Sequence, residues 1–107
     1  MKTLKFASHL VPLVLSGEKT STWRLFDDKD LNVGEKLNFI NKETGVEFAK
    51  AEIISISEKK LGELKENDFI GHEKYEDQAE MISSYRKYYG NNVDLDTLVK
   101  MINFKLF

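Results

Sequence analysis

The sequence predicts an α+β fold: a small mixed β-barrel of five to six strands with two main helices, in a single domain spanning residues 1–107. Three observations predict it. A chain of 107 residues has the size of one domain. Strand-like and helix-like segments follow one another in the order β-α-β-β-β-α-β. The apolar positions of the later strands change phase, which is typical of the bent strands in a small closed barrel.

The N-terminal quarter predicts a strand, a short helix and a second strand. Apolar residues alternate with a lysine at about residues 3–7, which indicates the first strand. Residues 9–16 form an apolar helix with a proline near its first turn, and Gly17 is a natural stop for it. Residues 20–25 are rich in β-branched and aromatic side chains and predict the second strand.

The middle of the chain predicts a hairpin with one irregular strand. A polar loop at residues 26–30 precedes a strand at 36–41 and a longer strand at 47–57. In the longer strand the apolar positions are odd-numbered up to Ile53 and even-numbered from Ile54 onwards. This shift predicts a β-bulge or sharp bend at that point.

The C-terminal part predicts one long helix and a closing strand. Residues 61–69 form a polar connection with one helical turn, and an apolar stripe of helical spacing predicts a helix over 75–89. The last strand, at residues 97–107, shows a second change of apolar phase between Met101 and Ile102.

Composition limits the function classes. Sixteen basic residues face eighteen acidic ones, giving a net charge of −2, which argues against binding to long duplex DNA. A small nucleoside or an RNA is compatible with this charge. The chain has no cysteine, which excludes disulfides and thiolate ligands, and its two histidines are too far apart in sequence to suggest a metal site. We therefore expect neither metal nor cofactor.

The sequence also gives an expectation about location. The N-terminal apolar run is six residues long, contains a proline and is not followed by a small-residue cleavage site, so it is interpreted as a folded helix. No segment approaches the roughly 18 apolar residues of a membrane span. We expect a cytoplasmic monomer that does not associate with membranes.

The segment from Gly17 to Arg24 concentrates the chemically versatile side chains. It holds a lysine, three hydroxyls, an indole and one of the only two arginines in the chain. Strand alternation places Thr22 and Arg24 on one face, and Ser21 and Trp23 on the other. Core packing is therefore the preferred role of Trp23, and Ser21 is the weaker candidate nucleophile.

This segment resembles the G-x-K-x-x-T-x-R pattern of ASCH domains, which belong to the PUA-like superfamily. The matching residues are Gly17, Lys19, Thr22 and Arg24, and the context agrees: an apolar helix precedes the motif and a Val-Gly-Glu turn at residues 33–35 follows it. The resemblance extends over essentially the whole chain. It implies a small barrel with a cleft beside the motif and a role in RNA or nucleoside chemistry.

Small bacterial ASCH proteins similar to this chain are amidohydrolases that remove the acetyl group from N4-acetylcytidine. The resemblance implies that Lys19 and Thr22 are catalytic together with a glutamate before the late helix. Counting back from the helix end assigns this glutamate to Glu73, with Glu76 as the competitor. Trp23 departs from the pattern, because those enzymes carry an aliphatic residue at this position.

A chemical hypothesis follows from these residues. Lys19, desolvated in the cleft, takes the proton of Thr22, which attacks an acyl carbonyl, and Glu73 returns a proton to the leaving amine. Arg24 holds the oxyanion or a carbonyl of the base, and Tyr75 stacks on the base. This requires the chain to bend just after Gly17, because residues 19 and 22 would face opposite ways in a regular strand. The alternative is a binding module that holds RNA or a modified nucleotide without chemistry.

Overall fold

The computed structural model describes residues 1–27 and 29–107, so Asp28 of the predicted polar loop lies outside the described residues. The elements, in chain order, are β1 Lys2–Phe6, a 3₁₀ turn Ser8–Leu10, α1 Val11–Ser16, β2 Ser21–Leu25, β3 Lys36–Asn41, β4 Glu47–Lys60, 3₁₀ turns Leu61–Glu63 and Glu66–Phe69, α2 Gln78–Tyr89, and β5 Leu98–Leu106. The predicted order and kinds of element are confirmed.

The strands form one curled five-stranded sheet, consistent with a PUA-like half-barrel in an α+β fold. Its order is β1-β3-β4-β5-β2, with β1 parallel to β3 and every other neighbouring pair antiparallel. β1 and β2 are thus the two edges. They face each other across an open seam, which Arg24 bridges by donating from its terminal Nη2 to the carbonyl of Lys5 at 3.0 Å.

The two predicted phase changes have different causes. In β4 the pairing with β5 shifts between Ile53 and Ser55, which is the predicted bulge and leaves Ile54 half exposed. β5 has no such irregularity against β2, so the change of phase between Met101 and Ile102 is not caused by a bulge. Both faces of β5 are covered instead, and each residue points into a different apolar cluster.

Two apolar clusters lie on opposite faces of the sheet. One fills the inside of the curl and contains three phenylalanines, of which Phe39 is fully buried, and Phe48 packs against it. The other lies between the sheet and α2 and contains Trp23, Met81 and Tyr85. β2 passes between the two, so the alternation predicted for it is confirmed: Trp23 and Leu25 face α2, whereas Thr22 and Arg24 face the seam.

Helix α2 begins three residues later than predicted. Asp77 adopts an extended conformation and accepts a hydrogen bond from the backbone N–H of Glu80 at 2.8 Å, which makes it the N-cap. Residues before the cap therefore remain non-helical and are available to a loop. In the part of the chain that the structure describes, no helix is long and apolar enough to cross a membrane.

Candidate active site

A sharp backbone turn positions Lys19. Gly17 ends α1 in the left-handed conformation, with φ of 84°, and the N–H of Lys19 then bonds back to the carbonyl of Leu13 at 3.0 Å. This is the bend that the sequence required after Gly17. It buries the Lys19 side chain, which is only 4% exposed, before the regular strand begins at Ser21.

Lys19 meets Glu73 across the site. The Lys19 Nζ donates to the Glu73 Oε2 at 2.5 Å, although 54 residues separate the two in sequence. Burial lowers the pKa of Lys19, and the charge and hydrogen bond of Glu73 only partly oppose this. Burial also acts to raise the pKa of Glu73, but the neighbouring His72 and Lys19 outweigh it, so that this pKa is lowered. The pair is thus a short hydrogen bond between a buried lysine and a half-buried carboxylate.

The loop that carries Glu73 is fixed to the start of β2 by Gly71. Its carbonyl accepts hydrogen bonds from the N–H groups of Thr20 at 2.9 Å and Ser21 at 3.2 Å. Gly71 has a φ of 76°, and a Cβ there would lie 2.1 Å from the Thr20 hydroxyl oxygen. Only glycine permits this close approach. The contact therefore sets the position of the loop relative to Lys19.

His72 contacts both the backbone and the carboxylate of Glu73. Its Nδ1 lies 2.9 Å from the backbone oxygen of Glu73 and 3.5 Å from the Glu73 Oε2. Both oxygens are acceptors, so Nδ1 carries the proton and Nε2 is the unprotonated nitrogen. Burial, reinforced by the charge of Lys19, lowers the pKa of His72 to about 4, so the ring is neutral at pH 7.

Trp23 lies beneath this loop. It is buried, as predicted for a core residue, and its ring stacks on His72 with centroids 3.9 Å apart and planes inclined by 15°. Phe69 packs against the same indole at 5.0 Å. The flat ring of Trp23 therefore orients His72, which contacts Glu73. An aliphatic residue, which the similar enzymes carry at this position, would not offer this stacking surface.

Thr22 and Arg24 form the opposite wall. The Arg24 Nε donates to the Thr22 Oγ1 at 3.1 Å, and the guanidinium lies over the Phe6 ring at 5.1 Å from its centroid. The hydroxyl thus accepts from a cation and keeps its own proton to donate. Arg24 was expected to hold an oxyanion or a base carbonyl. In the described structure its contacts are with Thr22 and the Lys5 carbonyl, and the expected role stays a prediction.

These walls enclose one cleft at the seam, with a volume of about 680 Å³. All five residues that the sequence analysis assigned to the site line it, namely Lys19, Thr22, Arg24, Glu73 and Tyr75. The competing Glu76 is exposed and does not line the cleft. Lys19 and Thr22 share this space, but no direct hydrogen bond joins them among the described residues. Their catalytic roles stay predictions.

The sequence analysis missed the far side of the cleft. All four tyrosines of the chain line it, three of them on α2, where helical spacing suggested packing alone. Lys5, Lys42 and Lys87 also line it, from three different elements. No local pattern marks these lysines. Gly71 directly before a His-Glu pair was the one available signal for a constrained loop. Within residues 1–27 and 29–107, no cluster of His, Asp and Glu could hold a metal ion.

Comparisons with known proteins identify the fold. No family model matches the chain, and no curated protein is detectably similar to it in sequence. Among solved structures, the ASCH domain from Lactobacillus crispatus superimposes with a TM-score of 0.75 at 19% identity, covering 98% of this chain and 78% of that one. The hypothetical protein PH0355 matches with a TM-score of 0.75 at 20% identity over the full length of both chains. The ASCH protein from Zymomonas mobilis has a TM-score of 0.69 at 12% identity, covering 96% and 65%. The chain thus has the ASCH-domain fold, as the resemblance implied.

Proposed function

We propose that the protein is an amidohydrolase that removes the acyl group from an N4-acylated cytosine nucleoside, with N4-acetylcytidine as the reference substrate. The observation that carries the proposal is the buried Lys19–Glu73 pair in the same cleft as Thr22. A lysine of lowered pKa next to a carboxylate and a hydroxyl is a recurrent way to activate an oxygen nucleophile without histidine.

The first half of the reaction uses the single proton that the pair shares. In the resting ion pair Lys19 holds this proton and Glu73 is ionised. In the reactive form the proton has moved along the hydrogen bond to Glu73, which leaves Lys19 neutral. The Thr22 hydroxyl gives its proton to Lys19 while its oxygen forms a bond to the acyl carbon. When the C–N bond breaks, Glu73 protonates the departing exocyclic nitrogen, and cytidine leaves with a free amino group. Arg24 favours the step, because its positive charge at 3.1 Å stabilises a developing alkoxide on Thr22.

The second half restores the site. Water gives one proton to the Glu73 carboxylate, and the resulting hydroxide attacks the acyl carbon. The bond to Thr22 breaks, Lys19 returns its proton to the threonine oxygen, and acetic acid leaves. Lys19 is neutral again and Glu73 is protonated, so atoms and charges balance over the cycle.

The dimensions and walls of the cleft suit this substrate class. Its volume of about 680 Å³ lies within the roughly 300–1,000 Å³ of small-molecule sites. Tyr75 is half-buried at the wall beside Glu73 and offers an aromatic surface to a base. Lys19 is buried, which keeps its amine out of bulk water.

The test is release of cytidine from N4-acetylcytidine by the purified protein. We expect turnover by the wild-type protein and a loss of at least about 10³-fold in Thr22→Val. Ser21→Ala is the matched control, because Ser21 lies one residue away on the opposite face of β2. Full activity in Thr22→Val, or loss in Ser21→Ala with retention in Thr22→Val, would overturn the assignment of the nucleophile.

One observation favours a second candidate, a non-catalytic module that binds RNA or a modified nucleotide. Tyrosines and basic residues make up much of the cleft lining, which is the composition of single-strand binding surfaces. The same assay separates the candidates. Absence of cytidine release at high protein concentration, together with binding of a short RNA oligonucleotide, would favour the module.

A further inference from the structure

The charge of the cleft differs in sign from that of the protein. The chain has a net charge of −2, yet five basic side chains line the cleft and Glu73 is the acidic one among the lining residues. Lys19 neutralises Glu73, and Arg24 is held between Thr22 and the Lys5 carbonyl. The proposed chemistry therefore leaves three lysines unused.

These three lysines, Lys5, Lys42 and Lys87, form a rim around the mouth of the cleft. Each of them is exposed, and within the described part of the chain none forms a salt bridge with a carboxylate. Some lysines elsewhere on the surface do pair, as Lys59 does with Asp68. Three like charges that form no salt bridge around one opening create a positive potential there.

The fold holds the rim lysines close to one another. Lys5 lies in β1, and Lys42 directly follows β3, which pairs with β1. The N–H of Lys42 bonds to the carbonyl of Phe6 at 2.8 Å, which fixes the two positions side by side. Across the mouth, the Lys42 Nζ lies 5.5 Å from the ring centroid of Tyr88, the neighbour of Lys87 on α2. The rim thus joins the sheet side of the cleft to its helix side.

We infer that this rim binds a phosphate ester, so that the ligand of the cleft is a pyrimidine nucleotide with a phosphate on its ribose. The inference deepens the proposed function, on which the identity of the base rests. The base and its acyl group occupy the inner part near Lys19 and Thr22, and the ribose phosphate lies at the mouth. Lysine ammonium groups bind phosphate as point charges without a fixed geometry, which suits a mobile, exposed rim.

The test is a binding measurement, which does not depend on turnover. Titration calorimetry compares cytidine with cytidine 5′-monophosphate and cytidine 3′-monophosphate at low ionic strength. We expect at least one monophosphate to bind about ten-fold more tightly than cytidine, given the modest contribution of each exposed charge pair. The two monophosphates show which ribose position carries the phosphate.

Variants locate the effect. The triple substitution Lys5→Gln, Lys42→Gln and Lys87→Gln should remove the preference and leave binding of cytidine unchanged. The control is Lys29→Gln, Lys65→Gln and Lys105→Gln, which changes the net charge equally at exposed sites outside the cleft. Arginine at the three rim positions should restore the preference.

The outcomes distinguish the two claims. Equal binding of cytidine and both monophosphates, or no binding of any of them, overturns the phosphate rim. The same holds if the control triple abolishes the preference, or if only an oligonucleotide binds. A monophosphate preference that depends on the rim, in a protein that releases no cytidine from N4-acetylcytidine, supports the rim and refutes the hydrolase.

Discussion

Two ion pairs tie the connection between β4 and α2 to the rest of the protein, and they are built differently. Lys59 and Asp68 pair at 3.0 Å with the lysine 40% exposed, and both oxygens of Asp68 accept hydrogen bonds. Lys19 and Glu73 pair at 2.5 Å with the lysine 4% exposed. Only five residues separate the two carboxylates in sequence. The Lys59–Asp68 pair, called the outer pair below, has an exposed lysine and a fully hydrogen-bonded carboxylate. The Lys19–Glu73 pair, called the inner pair, has a buried lysine and lines the cleft.

The pKa of both carboxylates is lowered, so the two pairs differ in the burial of their lysines. Burial acts to raise the pKa of Asp68, but hydrogen bonds from the Lys65 N–H and from Lys59 lower it overall. Asp68 therefore stays ionised and anchors a turn. Glu73 is ionised as well, but its partner is a lysine whose own pKa is lowered by burial. The comparison teaches that the outer pair is suited to holding structure and the inner pair to transferring a proton.

We expect the largest loss of activity when Glu73, the carboxylate of the inner pair, is replaced by a neutral residue. Glu73→Gln keeps the shape and removes the proton donor and acceptor, so we expect cytidine release to fall about 10²–10⁴-fold. Asp68→Asn is the matched control and should leave the rate within about two-fold of wild type. Steady-state kinetics on N4-acetylcytidine measures both. Equal losses in the two variants would mean that the pairs do not differ in function.

The second prediction concerns Gly71. It distinguishes the close contact of Gly71 with Thr20 from the backbone strain that a side chain causes at any positive φ. Gly71→Ala should destabilise the protein by about 2–4 kcal/mol, because a Cβ would both strain the backbone and collide with the Thr20 hydroxyl. It should also lower activity by moving Glu73 away from Lys19. Gly45→Ala is the control: its φ is 73° and a Cβ there would meet nothing within 4 Å.

Urea unfolding of the two glycine variants gives the comparison. Gly45→Ala should cost only about 1–2 kcal/mol and leave the rate unchanged. If Gly71→Ala costs no more than Gly45→Ala and keeps full activity, the Gly71 contact does not position the inner pair.

A third prediction concerns pH. The pKa of His72 is about 4 in the folded protein and lies below its ordinary value of 6.5, so the unfolded chain takes up the proton first as the pH falls. This contribution to stability is fully present above pH 6.5 and is lost as the pH falls towards 4. The slope reaches about 1.4 kcal/mol per pH unit for one proton.

His72→Phe isolates the histidine while keeping an aromatic ring against Trp23. The free energy of unfolding should depend less on pH between 6.5 and 4 in this variant than in the wild-type protein. His9→Phe, at an exposed position, should retain the wild-type slope. A slope unchanged in His72→Phe would show that His72 does not titrate differently in the folded state.

We expect the smallest effect on stability from breaking the outer pair, Lys59 and Asp68. Lys59→Met removes an exposed partner, so we expect a loss of less than about 1 kcal/mol in the free energy of unfolding. The rate of cytidine release should not change. Thermal unfolding with parallel kinetics checks this, and a loss of several kcal/mol would place the outer pair among the essential contacts of the fold.

Local sequence patterns predicted most of the fold. Apolar alternation located β3 at its observed bounds and the bulge in β4, because both follow from which side chains must be buried. At Met101 and Ile102 the same change of phase has another cause. A strand covered on both faces has apolar residues at consecutive positions, and the sequence alone does not distinguish this from a bend.

Those features of the site that depend on residues close together in the sequence could be predicted. Alternation in β2 placed Thr22 opposite Trp23, and Gly17 indicated the turn that buries Lys19. The partnership with Glu73 spans 54 residues and came from family resemblance, since no short-range pattern encodes it. The stack of His72 on Trp23 and the lysine rim arise only when the sheet curls, so they could not be read from the sequence.

The most direct test of the central claim is to measure rate and stability together in Lys19→Met and Lys59→Met. The claim is that the inner pair serves chemistry and the outer pair serves structure. It predicts that Lys19→Met still folds and loses less free energy of unfolding than the roughly 3–5 kcal/mol of a fully buried pair that is broken, because methionine fills the same space and the Glu73 side chain is 34% exposed. Cytidine release should nevertheless fall below detection, whereas Lys59→Met should retain it. A folded Lys19→Met that releases cytidine at the wild-type rate would contradict the account.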